Sequence, residues 1–284
     1  MSYRTDIVYR YDGGTDALLC CIFESYAQKE LPAAIVRAGQ PQPGLLPWRD
    51  ICADPAHAAR VSGAIAARIG ADALEMVCHS RLCAAPDAAL CALRFVRLGL
   101  RAGARAMDML DEPCVDYLTK AVRALLNEAH HLTGFIRFCD HGGVLSAIIA
   151  PKNRVLPVIR SHFTDRLSAE TFLIYDSTHH EALAHQRGRS RIVPLEALTL
   201  PPPDESELFY RALWRAFHRA VAIEPRRNPR CQMSHMPRRY WDKMPEMDAL
   251  TGKNDDAENK KICYNQRMDR LPQISSTEKR HIHS

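Results

Sequence analysis

The chain opens on an alternating stretch, Ile7-Val8-Tyr9-Arg10-Tyr11, which predicts a strand over 6–11. Asp12-Gly13-Gly14 then turns the chain, and Thr15 or Asp16 can cap a helix with Leu18, Leu19, Ile22, Phe23 and Tyr26 at helical spacing. Residues 29–49, rich in Pro and Gly, predict a loop with one short extended piece. From 54 to about 127 the chain is rich in Ala and Leu and poor in β-branched runs. Three or four helices are expected there, with breaks at 83–86 and 111–113. The next helix, Val115 to about Leu132, buries Leu118, Val122, Leu125 and Ala129 and is expected to stop at Thr133-Gly134.

The period then changes from 3.6 to two. Residues 135–138 and 144–149 flank Asp140-His141-Gly142-Gly143, a hairpin signal. A helix over 156–167 and strands over 171–176, 181–185 and 191–194 follow. After Pro201-Pro202-Pro203, a helix with Leu208, Ala212, Leu213, Ala216, Phe217 and Ala220 on one stripe is capped from 204–206. The fold class this implies is α+β: an antiparallel sheet with an Ala/Leu-rich helical subdomain packed on it. Residues 1–247 read as a single α+β domain. Its helical part covers about 54–133, its sheet part about 134–200, and a C-terminal helix and basic arm 204–245. Residues 248–284, polar and weakly periodic, read as a disordered tail.

Composition changes this picture little. In 284 residues, 46% are hydrophobic and 25% charged, which leaves material for a core and excludes fibrous or coiled-coil classes. No stretch approaches the roughly 18–20 apolar residues of a membrane span, so no membrane association is expected. The first ten residues have no apolar secretory core. Ten cysteines fall without C-x-x-C spacing, as reduced thiols of a cytoplasmic protein would, and no cofactor or iron–sulfur ligand set is expected.

Charge adds more. The net charge is +5, and residues 223–245 carry six Arg or Lys against two acidic residues. A positive field confined to so short a segment suits an anionic partner. There, Arg226, Arg227, Asn228, Arg230, His235, Arg238 and Arg239 are interleaved with Tyr240 and Trp241. Prolines at 225, 229 and 237 suggest an extended scaffold. Arg pairs bidentately with phosphate and aromatic rings stack on bases, so this is the candidate nucleic-acid-binding segment. The alternative is a strap anchored to the body by Trp241. Arg94, Arg97, Arg101 and Arg105 recur at helical spacing and form a secondary basic face, either solvated or facing a phosphate backbone.

Catalytic candidates are weaker. Glu128, His131 and Arg137 lie where a helix end meets a strand start, a carboxylate, an imidazole and a guanidinium adequate for acid–base work. The favoured reading is structural, with His131 at a helix C-terminus and Arg137 on an exposed strand position. His179-His180 with His185 lacks a carboxylate at ligand spacing, so no metal site is assigned. Asp12, Asp16 and Glu24 could hold a divalent ion, though helix capping explains them more simply. Asp12-Gly13-Gly14-Thr15-Asp16 has neither a G-x-G-x-x-G pattern nor a Walker lysine, and its carboxylates disfavour phosphate.

Taken together, Tyr11-Asp12-Gly13, Phe23-Glu24-Ser25-Tyr26, the segment 128–138, Leu173-Ile174-Tyr175-Asp176, Arg226-Arg227-Asn228-Pro229-Arg230 and Met236-Pro237-Arg238-Arg239-Tyr240-Trp241 resemble a bacterial family labelled as DNA metabolism proteins. The resemblance spans about 2–247. Members of that family are typically encoded beside a radical S-adenosylmethionine protein of DNA modification or repair. A related domain of unknown function is fused ahead of uracil-DNA-glycosylase-like domains. The resemblance implies a DNA-repair context and a radical S-adenosylmethionine partner, but no reaction and no catalytic residue. The expectation is a DNA-repair accessory protein that contacts DNA through its basic-aromatic segment. An enzyme acting on DNA or damaged nucleotides, and a protein–protein adaptor without DNA contact, are the alternatives.

Overall fold

The computed structural model describes residues 3–41 and 44–247. The expected tail, 248–284, lies outside the described residues. The chain forms two compact units, Met1–Arg211 and Ala212–Ser284.

In the first unit, β1 (Val8–Tyr11) leads through a Gly-rich turn into α1 (Thr15–Ala27), and the chain returns as β2 (Ala34–Arg37) and β3 (Trp48–Ile51). Both later strands pair parallel with β1, giving the order β2-β1-β3. The sequence predicts only a loop with an extended piece here. Four-residue strands leave too little alternation to be read, and it is pairing with β1 that defines them. With neighbours on both sides, β1 buries Val8, Tyr9 and Tyr11, an apolar run typical of a central parallel strand. The α1 cap also differs from expectation. Gly14 is the N-cap, and the Asp12 carboxylate accepts from its amide at 2.7 Å, in place of a cap from Thr15 or Asp16.

The helical layer follows: α2 (Pro55–Arg68), α3 (Ala71–Ser80), α4 (Ala88–Ala102) and α5 (Pro113–Phe135). Asp54 caps α2 by accepting from the amides of Ala56 and His57, with Pro55 at the first helical position. In α5, Val115, Leu118, Val122, Leu125, Ala129 and Leu132 form a buried stripe. Contrary to the expected stop at Thr133-Gly134, α5 continues through Gly134, so the hairpin's first arm shrinks to β4 (Cys139–Asp140). Its partner is β5 (Val144–Ile149). Gly142 and Gly143 make the turn with φ of 67° and 89°, a conformation costly for other residues.

Next come α6 (Leu156–Arg166), β6 (Thr171–Asp176), β7 (Glu181–Gln186) and β8 (Arg189–Pro194). This sheet has the order β4-β5-β6-β7-β8. It is antiparallel except between β5 and β6, which are parallel because α6 carries the chain across. The fold class is α+β, with one parallel and one mixed sheet where a single antiparallel sheet is expected from the sequence. α7 (Glu205–Val221) begins in the first unit, capped by Asp204, whose carboxylate accepts from the Glu207 amide at 2.8 Å.

A buried polar network ties β1 to β3. Tyr9 donates to Glu30 Oε2 at 2.8 Å, and Arg49 donates to both Glu30 oxygens, at 2.7 and 3.1 Å. Burial alone would push the Glu30 carboxyl up. The hydrogen bonds and the Arg49 charge more than offset that and hold it below its ordinary 4.5. With the folded value depressed, this contribution is complete above the unfolded value and lost as pH falls through the folded one. Thermal melts from about pH 7 to about pH 3 are expected to show Glu30→Gln with a shallower acid decline than the wild type. Parallel curves would refute this role.

Candidate functional site

In the second unit the basic segment is not extended. It folds as short helical turns set apart by prolines: 3-10 turns at Glu224–Arg226, Arg238–Lys243 and Pro245–Met247, and α8 (Pro229–His235). Fixed proline φ favours turn starts as readily as extension. Asn228 is the α8 cap, its side chain accepting from the Cys231 amide at 3.1 Å. His235 Nδ1 lies 2.9 Å from the Cys231 carbonyl. Tyr240 and Trp241, expected to stack on bases, are each only 7% exposed. Met244 and Met247 are buried as well, so this segment has a small core of its own, and Trp241 donates its indole N–H to the Met236 carbonyl at 2.9 Å.

The arginines remain outside. Arg226, Arg227, Arg230, Arg238 and Arg239 are exposed. Arg238 lies 5.7 Å from the Trp241 ring centre and Arg239 4.7 Å from that of Tyr240, whose hydroxyl it also meets at 2.6 Å. Thus the aromatic residues act as pedestals for guanidinium groups. Residues 212–247 hold eight Arg or Lys against three Asp or Glu, a net of +5. Arg227 and Glu224 approach only to 4.0 Å with both side chains open to solvent, a weak pair.

The secondary basic face divides. Arg97 turns inward, its guanidinium 4.4 and 4.5 Å from the Tyr3 and Tyr26 ring centres, and donates to the Ser25 hydroxyl at 3.1 Å. With Arg94 and Arg101 it lines a cavity of about 600 Å³ that also meets Leu31, Leu90 and Glu112. Arg105 falls beyond α4, on a 3-10 turn.

Glu128, expected as an acid–base candidate, sits on the buried stripe of α5 at 3% exposure. Its carboxylate accepts from the Lys152 amide at 3.0 Å, the Asn153 amide at 2.8 Å and the Asn153 side chain at 2.6 Å. Asn153 in turn accepts from the Ala84 amide at 2.8 Å. These contacts make Glu128 a brace between α5 and two loops. His131 stacks on Phe135 at 5.7 Å, and Arg137 donates to the carbonyls of Gly134 and Ile136, closing the end of α5.

One absence expected from the sequence is corrected. Carboxylates do stand at ligand distance from a histidine of the 179–180 pair. Among the described residues, Asp176, His179 and Glu181 are the one such set with ligand atoms within 4.8 Å of one another, whereas Asp12, Asp16 and Glu24 are not gathered. The set is already occupied internally. Asp176 accepts from the amides of Thr178 and His179 and meets His179 Nδ1 at 2.6 Å, while Glu181 pairs with Arg154 at 2.8 Å. His185 lies apart, against the Glu170 carbonyl. The D-x-x-H-x-E spacing across the β6–β7 turn was the available signal. Thiol chemistry is disfavoured at the inner cysteines, where burial pushes Cys83 up to about 12 and, with Cys114 nearby, Cys91 up to about 11.

Among the described residues no helix is long and apolar enough to cross a membrane. A family model described as a domain of unknown function, DUF4130, matches residues 86–246. No curated protein and no solved structure matches the chain.

Proposed function

The chain belongs to the DUF4130 family, and from that premise we propose that it is an accessory protein of DNA metabolism and repair that engages DNA through residues 226–239. The observation that carries this reading is the +5 excess of residues 212–247 with Arg226, Arg227, Arg230, Arg238 and Arg239 turned to solvent. Contact is to phosphate and not to bases, because Tyr240 and Trp241 are covered. Binding of this kind is tolerant of sequence. The resemblance to DNA metabolism proteins supplies the repair context and a radical S-adenosylmethionine protein as partner. The site geometry does not itself favour an enzyme, since Glu128 is consumed as a brace.

A second reading, the adaptor, rests on α7. Tyr210, Leu213, Trp214 and Phe217 are 61%, 52%, 39% and 55% exposed. Of the stripe that the sequence marks for burial, Leu213, Ala216, Phe217 and Ala220 are exposed and Leu208 and Ala212 half-buried, and apolar surface of that kind commonly docks a partner. Fluorescence anisotropy with single- and double-stranded DNA at two salt concentrations separates the readings. Phosphate contact predicts a fall of log affinity with log salt of roughly 0.7–0.9 per contact. No binding at low salt would overturn the DNA reading and leave the adaptor.

A further inference from the structure

A second positive site lies in the first unit, away from the basic segment in sequence. Tyr11 and Arg37 are the paired last residues of β1 and β2. Because β2 and β3 flank β1 on opposite sides, the carboxyl ends of these strands are the end at which open parallel sheets hold ligands. Three guanidinium groups from separate segments meet there. Arg37, ending β2, donates Nη2 to the Arg81 carbonyl at 3.0 Å. Arg81, closing α3, donates Nη1 to the Gly13 carbonyl at 3.3 Å. Arg154, in the loop braced by Glu128 and Asn153, pairs with Glu181 at 2.8 Å.

The charges do not balance internally. Among the described residues neither Arg37 nor Arg81 forms an ion pair with a carboxylate, and Arg81 Nε is shut off from solvent with no acceptor. Burial, then the charge of Arg154, holds the Arg37 pKa below its usual value. Like charges brought into a desolvated place need an anion or cost stability. The backbone makes room for this approach. Gly13 has φ of 92°, and a Cβ there would collide with the Arg37 guanidinium. The α1 N-terminus, with no side chain capping its first turn, adds its partial positive charge alongside. Asp12 on the loop and Asp16 in the first turn of α1 are the acidic counterweights that the sequence sets against phosphate; both are exposed to water, which screens them, and Asp12 spends one oxygen on the Gly14 amide.

We propose that Arg37 and Arg81, with Arg154 at the rim and the Gly13-Gly14 loop as floor, form a binding site for a phosphate monoester. With Arg154 paired to Glu181, Arg37 and Arg81 are the two guanidinium groups left without a carboxylate partner, for a phosphate group of about −1.5 to −2 to meet. The guanidinium fork matches its oxygens. The site stands independently of the DNA reading.

The test is calorimetric titration of the full chain with inorganic phosphate against sodium chloride at matched ionic strength, then with deoxyadenosine monophosphate and deoxyadenosine. Saturable phosphate binding is expected, weakened roughly tenfold or more by Arg81→Gln and unchanged by Arg123→Glu, at an exposed position of α5 outside both positive sites. Tighter binding of the nucleotide than of phosphate, with the nucleoside inert, would identify a nucleotide; equal affinity would identify the phosphate group alone. Should Arg81→Gln fail to fold, Arg154→Gln is expected to weaken binding several-fold. Phosphate acting no differently from chloride, or affinity indifferent to the arginine variants, overturns the proposal.

Discussion

Charge reversal at Arg226, Arg227 and Arg230 is expected to abolish DNA binding while leaving the fold intact. All three are exposed and none covers the small core around Trp241. Surface changes of this kind usually move stability by no more than about 0.5 kcal/mol. If each arginine meets one phosphate, the salt slope should fall by about 2–3. Repulsion from the new carboxylates should add to that, for a loss of roughly a hundredfold or more at low salt. Arg238 and Arg239 are poorer choices for the first experiment, because they lie over Trp241 and Tyr240 and their removal uncovers those rings. Anisotropy and circular dichroism on the same triple variant decide the matter. Retained affinity with a retained slope would remove residues 226–230 from the interface.

Glu128→Gln is expected to destabilise the first unit by about 2–4 kcal/mol. The carboxylate accepts three hydrogen bonds in a buried place, two of them from backbone amides. An amide side chain turns one of its two acceptor ends into a donor facing a donor, and the stranded N–H has no water to turn to. The melting temperature should drop by several degrees, since about 1 kcal/mol moves a unit of this size by about 2–4 °C. Residues 151–154 should loosen first, and Arg154 with them. Had Glu128 been a general base, the same substitution would leave stability nearly unchanged and remove only activity. An unaltered melting curve would therefore refute the brace and reopen acid–base chemistry at Glu128, His131 and Arg137.

The elements were largely legible from periodicity. The spans of α1, α6, β6 and the α7 start follow from apolar spacing and from proline and aspartate at their ends, with little displacement. Such signals are local, because a helix or strand is chosen by residues within a few positions of one another. The positive segment near the C-terminus was likewise plain from counting. Glu128 could have been recognised as structural on the same grounds. It falls three residues after Leu125 on the α5 stripe, where a carboxylate must be buried and hence satisfied.

What needed the tertiary structure was convergence and cover. β2 and β3 are strands because β1 lies between them, a parallel arrangement no four-residue window encodes. Tyr240 and Trp241 look like stacking faces until the turns that hold them leave both rings buried, along with Met244 and Met247. Arg37, Arg81 and Arg154 are scattered over 118 positions of sequence and signal nothing there, yet they meet at one strand end. Composition and spacing determined which segments are helix, strand or charged surface, since those properties depend on neighbours in the chain. Which charges lose their water, and which aromatic rings stay covered, was decided by long-range closure. Desolvation depends on everything that packs nearby, whatever its distance along the sequence.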